Sequence, residues 1–271
     1  MDSITSMFLG IIQGLTEFLP ISSSGHLVLF QNIFGFREPE LMLDISLHLG
    51  TLVAICIFFR SDLKEIIGET WHFSVDILNG QKKLRSIGKR SHVMLMLWII
   101  AGTVPTAIIG LVFKSPLEAL FGDVDKVGFM LLCTGLILAV TRFISMEHNK
   151  RRDVGLITAL VVGISQGLAI IPGISRSGTT IVCGMLCGME RELSARFSFL
   201  LSIPAIIGAM ALQIGSEGLS RSDIISLSLG FLSSAIVGFI ALKILMGMVR
   251  RGRLSYFAPY CWALGLSIIV F

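Results

Sequence analysis

Two stretches of the chain set side chains suited to phosphate or carboxylate chemistry among apolar residues. Gly10 to Leu29 reads GIIQGLTEFLPISSSGHLVL and carries Gln13, Glu17, Ser22, Ser23, Ser24, Gly25 and His26. Gly163 to Val182 reads GISQGLAIIPGISRSGTTIV and carries Ser175, Arg176, Ser177, Gly178 and Thr180. Aligned at a constant offset of 153 residues, the two stretches agree at nine of twenty positions, so one device is written twice. A half-helix that starts after a serine-rich loop presents free backbone N–H groups and the positive end of its dipole, which favours an anion. The sequence builds two such cradles, one at Ser22-Ser23-Ser24-Gly25 and one at Ser175-Arg176-Ser177-Gly178. Plain helix capping is the alternative use of those hydroxyls.

The two copies diverge where chemistry needs different groups. Glu17, Ser23 and His26 correspond to Ile170, Arg176 and Thr179. Arg176 adds a planar fork that matches phosphate. Glu17, one turn after Gln13, can hold a hard cation, act as a base or pair with Arg176. His26 is suited to proton transfer. An acid/base pair on one arm and a fixed cation on the other suit phosphoryl transfer, which depends on positioning and on stabilising charge. His48 reads as a packing or supporting residue, and His72, His92 and His148 as solvated.

Elements that could hold such a site must be membrane elements. The 271 residues are 54% apolar and 15% charged, with mean hydropathy +0.84, whereas soluble domains carry about 25% charged residues. Long continuous apolar runs exclude a barrel, so the expected fold is an all-α polytopic membrane protein. Asp2 and the interruption by Gln13 and Glu17 argue against a cleavable signal. The five cysteines all lie in apolar runs and read as packing residues. A net charge of +4 says little by itself. Nothing in the sequence points to nucleic acid.

Six runs are expected to span: Leu41 to Phe59, His92 to Phe113, Val127 to Phe143, Ala195 to Ile214, Ile224 to Val249 and Phe257 to Phe271. The two repeated stretches are broken by Pro, Gly and Ser, with loops expected at Pro20 to Ser24 and Pro172 to Ser177. If both turn back, sixteen of the 22 Lys and Arg residues fall on one side and four on the other. If the second crosses, the split falls to twelve against eight, so cytoplasmic loop charge favours re-entry. The expected architecture is therefore an inverted-topology repeat with six spanning helices and two re-entrant helix-loop-helix segments. Residues 1–150 form one half, with re-entrant segment 5–34 and a basic cytoplasmic loop at 60–91. Residues 151–271 form the other, with re-entrant segment 154–188. In the third helices, Gly102 and Ile109-Gly110 answer to Gly230 and Val237-Gly238.

The motifs closely resemble those of the undecaprenyl-diphosphatase family, bacterial membrane enzymes also known as bacitracin-resistance proteins. Gln13 and Glu17 resemble its Glu/Gln-x3-Glu motif, Leu19 to His26 its LPxSSxGH motif, and Pro172 to Thr180 its PGxSRSGxT motif. The resemblance implies hydrolysis of undecaprenyl diphosphate to undecaprenyl phosphate and phosphate, for peptidoglycan synthesis, at a site on the outer side of the cytoplasmic membrane. It also implies a divalent cation, Mg²⁺ or Ca²⁺. Glu17 would bind metal or act as base, Arg176 would bind the diphosphate, and His26 with Ser23 would carry the transfer. Gln13, Ser22, Ser24, Gly25, Ser175, Ser177, Gly178 and Thr180 would contact substrate. Ser23 assisted by His26 is the preferred nucleophile, with water and His26 itself left open. Gln13 is neutral where many relatives carry glutamate, which weakens a two-carboxylate metal site. A lipid-phosphate or anion transporter is the rival class, and a homo-oligomer is compatible with the sequence.

Overall fold

A computed structural model describes residues 3–34, 41–80, 91–113, 124–144, 153–213 and 221–270. The regular elements among the described residues are helices, in the order α1 (Ser3–Phe18), α2 (Ser23–Ile33), α3 (Leu41–Phe58), α4 (Arg60–Leu78), α5 (Ser91–Val112), α6 (Val124–Val140), α7 (Leu156–Leu168), α8 (Arg176–Leu186), α9 (Arg191–Gln213), α10 (Arg221–Arg250) and α11 (Ala258–Val270). Short 3-10 turns at Thr141–Phe143 and Leu254–Phe257 follow α6 and precede α11. Helices α5, α6, α9 and α10 are long and apolar enough to cross a bilayer. Their outward faces, including Ile108, Leu136, Ile207 and Ile236, are exposed apolar surface of the kind lipid covers.

Two expectations need correction, the loop at 60–91 and the exposure of His92. Residues 60–78 of the expected basic loop form helix α4, bent by 76° from α3. Ile66 and Phe73, two turns apart, bury one face of it, and Asp62 pairs with Arg196 on α9. The lysines and arginines at 82–90 lie outside the described residues, as do His148 and the junction at 150/151. The last run gives a helix of 13 residues after its 3-10 turn, as short as its sequence indicates. His92 is not simply solvated: its ring nitrogens lie 2.9 Å from Glu65 and 2.9 Å from Glu69, tying α5 to α4.

Glycines set the helix pairing, and they do so in the same way in both halves. Helix α1 packs along α10, and its counterpart α7 packs along α5. A Cβ on Gly14 would lie 2.8 Å from the Gly238 amide nitrogen, and one on Gly167 would lie 2.7 Å from Ile109 Cδ1. Gly10 likewise meets Gly230, and Gly163 meets Gly102. Without a hydrophobic driving force between helices in lipid, such close backbone approach is the main route to tight packing. Helices α6 and α11 cross each other at Gly128 and Gly265, where a Cβ on Gly265 would lie 2.7 Å from the Gly128 carbonyl oxygen. Gly163→Ala should therefore force α7 off the Gly102 carbonyl and cost about 1–3 kcal/mol. Thermal unfolding in detergent checks this against Gly208→Ala, whose Cβ would meet nothing within 4 Å.

The apolar core lies between α1, α3, α9 and α10. Phe18 stands 5.8 Å from Phe199, which in turn stands 6.1 Å from Phe59. A second cluster, with Ile21, Leu138, Val182 and Cys261, lies under the tips of the two broken segments.

Candidate active site

Both repeated stretches break in mid-course, at residues 19–22 and 169–175. Ser23, Ser24, Arg176 and Ser177 therefore occupy the first turns of α2 and α8 rather than the loops. The breaks meet each other: a Cβ on Gly25 would lie 3.4 Å from Gly173 Cα, and one on Gly178 would lie 3.2 Å from Pro20 Cβ. These are the same contact made twice at the offset of 153. Thr134 of α6 pins the second tip, donating to the Gly173 carbonyl at 2.8 Å and accepting from the Ser175 amide at 3.0 Å.

The left-handed residue that reverses each tip differs. In the second it is Gly173, at φ +93°; in the first it is Ser22, at φ +69°. A non-glycine residue in that region costs of order 1 kcal/mol and persists only where neighbours fix it. Here the Ser22 carbonyl accepts from the His26 amide at 3.2 Å and from His26 Nδ1 at 2.8 Å. Its hydroxyl accepts from the Gly25 amide at 3.3 Å, as Ser175 accepts from Gly178 at 3.1 Å. Each cap hydroxyl lies 3.3 Å from that of the second serine on, Ser24 or Ser177. Capping thus occupies Ser22 and Ser175.

Glu17 is the hub. Its Oε1 accepts from Arg176 Nη2 at 2.5 Å, and its Oε2 accepts from Ser23 at 2.6 Å and from Gln13 Nε2 at 3.0 Å. The carboxylate is almost fully buried, so these charge-assisted bonds replace its hydration. Two buried atoms on the side chains that bond Glu17 have no partner among the described residues: Gln13 Oε1, an acceptor, and Arg176 Nη1, a donor. Buried unpaired groups are costly, and a ligand that satisfies them recovers that cost.

His26 is not where the preferred reading put it. The Ser22 carbonyl can only accept, so Nδ1 carries the proton and Nε2 is the bare nitrogen. That nitrogen accepts from the Tyr260 hydroxyl at 2.8 Å, and the two rings lie parallel within 5°. The Ser23 proton is directed at Glu17 instead. Thr180 also faces elsewhere, donating to the Arg176 carbonyl at 2.8 Å and meeting Ser198 of α9 at 2.5 Å. It holds α8 to α9 and does not line the site.

Two residues enter that sequence reasoning missed or undervalued. Tyr260 lies 234 residues from His26, in no motif. His48 donates from Nδ1 to the Asp44 carbonyl at 2.7 Å, which leaves Nε2 bare at 4.0 Å from Glu17 Oε2. Among the described residues no three His, Cys, Asp or Glu side chains group as metal ligands.

Comparison with known proteins agrees along the chain. The sequence model of the family described as "Bacitracin resistance protein BacA" matches residues 6–267. The chain is 45% identical to an undecaprenyl-diphosphatase of Desulforapulum autotrophicum over 273 residues, all of this chain and 98% of that protein. It is 45% identical to one of Desulfatibacillum aliphaticivorans, over 97% of this chain and 96% of that one. It is 41% identical to one of Methanosphaera stadtmanae, over 100% of this chain and 98% of that one. With the breaks of its two repeated stretches in contact and Glu17 paired with Arg176, and matched over nearly its whole length, the chain belongs to the bacitracin resistance protein BacA family.

Proposed function

We propose that this protein hydrolyses undecaprenyl diphosphate to undecaprenyl phosphate and inorganic phosphate, with Ser23 as nucleophile and Glu17 as its base. The observation that carries this reading is the 2.6 Å hydrogen bond from the Ser23 hydroxyl to Glu17, set beside the unpartnered Nη1 of Arg176. The relatives' names supply the substrate. In the first displacement Ser23 Oγ bonds to the terminal phosphorus, its proton passes to Glu17 Oε2, and undecaprenyl phosphate departs. In the second, water attacks the phosphoserine and passes a proton to His26 Nε2, once Tyr260 has turned away. Glu17 returns its proton to Ser23 Oγ as the bond to phosphorus breaks, and phosphate leaves with the proton that His26 held. Arg176 Nη1 binds the terminal phosphoryl oxygens throughout, while Nη2 keeps Glu17 in place.

Gln13 Oε1 and Glu17 suit a hard cation that takes its remaining oxygens from substrate. Such an ion would neutralise charge on the diphosphate. Gln13→Glu, which adds a second carboxylate, should lower the Mg²⁺ or Ca²⁺ concentration needed for half-maximal activity. Metal titrations of both enzymes against a chelator check it; an unchanged midpoint would place the ion elsewhere.

The basic end of the bundle is assigned to the cytoplasm. There the start of α4, the start of α9 and the end of α10 meet, through Arg196 with Asp62 and Arg250 with Glu192. We take the site to open to the outer side, as the family resemblance implies, where recycling the carrier lipid would serve peptidoglycan synthesis and protect against bacitracin.

Tyr260 positions His26. Because the phenol must leave Nε2 before water is activated, Tyr260→Phe should leave kcat within about threefold of wild type or raise it, with KM unchanged. His26→Gln should cost about 100-fold or more. Equal losses in the two variants would make the phenol a proton carrier in its own right. The reading as a whole is tested by phosphate release from undecaprenyl diphosphate by purified protein in detergent. Release should require metal and be lost in Ser23→Ala; no release from folded wild type would favour an anion carrier.

A further inference from the structure

Away from Glu17, the basic end of α10 carries a groove with the chemistry of a lipid headgroup site. Lys243, Gly247 and Arg251 follow at intervals of four, so they line one side of the helix and its end. Lys243 is the one basic residue of α10 between Arg221 and Arg250, and it is exposed on the outside of the bundle. A Cβ on Gly247 would meet nothing within 4 Å, so this glycine serves no close helix contact. It opens a gap between two cations instead. The gap is a groove of about 390 Å³, walled by Ile244, Met248 and Tyr256, with Arg253 at its rim. A second groove, of about 450 Å³, shares Lys243 and Gly247 and extends to Arg60 and Arg250.

The charges there are not equally committed. Arg250 pairs with Glu192 at 2.6 Å, and Arg253 lies 5.7 Å from the Tyr256 ring centroid. Among the described residues no carboxylate pairs with Lys243 or Arg251. Lys243 stands seven residues before Arg250, about 10 Å along the axis. A lysine at that depth extends its ammonium toward the headgroups, and it gains most where it finds a counter-ion. Cations flanking a gap with apolar walls match an amphiphile with a phosphate head. They do not match a free ion.

We propose that this groove binds one anionic phospholipid from the leaflet at the basic end of the bundle. Its phosphate lies between Lys243 and Arg251 over Gly247, and its acyl chain runs along Ile244 and Met248. The test is native mass spectrometry of the full chain released from phosphatidylcholine nanodiscs containing a minor fraction of phosphatidylglycerol. Wild type should retain one phosphatidylglycerol. Each charge removed should lower retention about fivefold, so Lys243→Gln with Arg251→Gln should lower it about 25-fold. Gly247→Leu keeps both charges but fills the gap, and should lose the lipid as well. Lys64→Gln, an exposed cation outside the groove, should retain it. Wild-type retention in the double variant or in Gly247→Leu would overturn the proposal. So would an equal loss in Lys64→Gln, or displacement of the lipid by inorganic phosphate.

Discussion

Glu17→Gln lowers kcat for phosphate release by about 10²–10⁴-fold, the contribution of a positioned base. The change is nearly isosteric. A glutamine oxygen can still accept from Ser23, and its size still fills the space between α1 and α8. What it cannot do is take the Ser23 proton as Oγ bonds to phosphorus. A loss confined to kcat, with KM within a few-fold, is the signature of an interaction made only in the transition state. Steady-state kinetics over a range of Mg²⁺ concentrations separate this from lost metal binding, because saturating metal would rescue a purely ligating role. Glu17 also holds Arg176, so Glu17→Gln leaves the guanidinium buried with a weaker partner.

Arg176→Ala has the second large effect, and it acts twice. Losing a preorganised cation at the phosphoryl oxygens should cost about 10²–10³-fold in kcat/KM. Removing one partner of a buried ion pair should also destabilise the fold by about 3–5 kcal/mol, because Glu17 is then left charged and unpaired. Arg176→Lys separates the two. It keeps the charge and much of the stability, yet a single ammonium cannot reproduce a fork that gives Nη2 to Glu17 and Nη1 to substrate. Its activity should stay close to that of Arg176→Ala while its thermal midpoint returns toward wild type. The double variant Glu17→Gln with Arg176→Ala should lose less stability than the two single changes added together, since the pair is coupled.

Much of this architecture is legible before any coordinates. The glycines at 10, 14, 163 and 167 repeat because each α1-like helix must touch its partner at backbone distance, and Gly102 and Gly230 repeat for the same reason. The offset of 153 survives in space as the reciprocal contacts Gly25 with Gly173 and Gly178 with Pro20. Helix α4 was hidden because its charged surface reads as a loop, whereas only Ile66 and Phe73 mark its buried side. In the site, Glu17 and Arg176 announce themselves as charges within apolar sequence. The partner of His26 does not. His26 stands in the same serine-rich stretch as Ser23, but the left-handed turn at Ser22 offers its carbonyl to the ring, and α11 supplies a phenol to the other nitrogen. Thr180 was misplaced for a similar reason: a threonine four residues after Arg176 bonds back to that carbonyl and turns its hydroxyl toward α9.

The measurement that tests the central claim most directly is the stereochemical course at the terminal phosphorus, followed with an isotopically chiral thiophosphate analogue of undecaprenyl diphosphate. Attack by Ser23 and then by water are two in-line displacements, and the predicted result is net retention, with turnover abolished in Ser23→Ala. Inversion would show that water attacks phosphorus directly, and would contradict the assignment of Ser23 as nucleophile with Glu17 as its base.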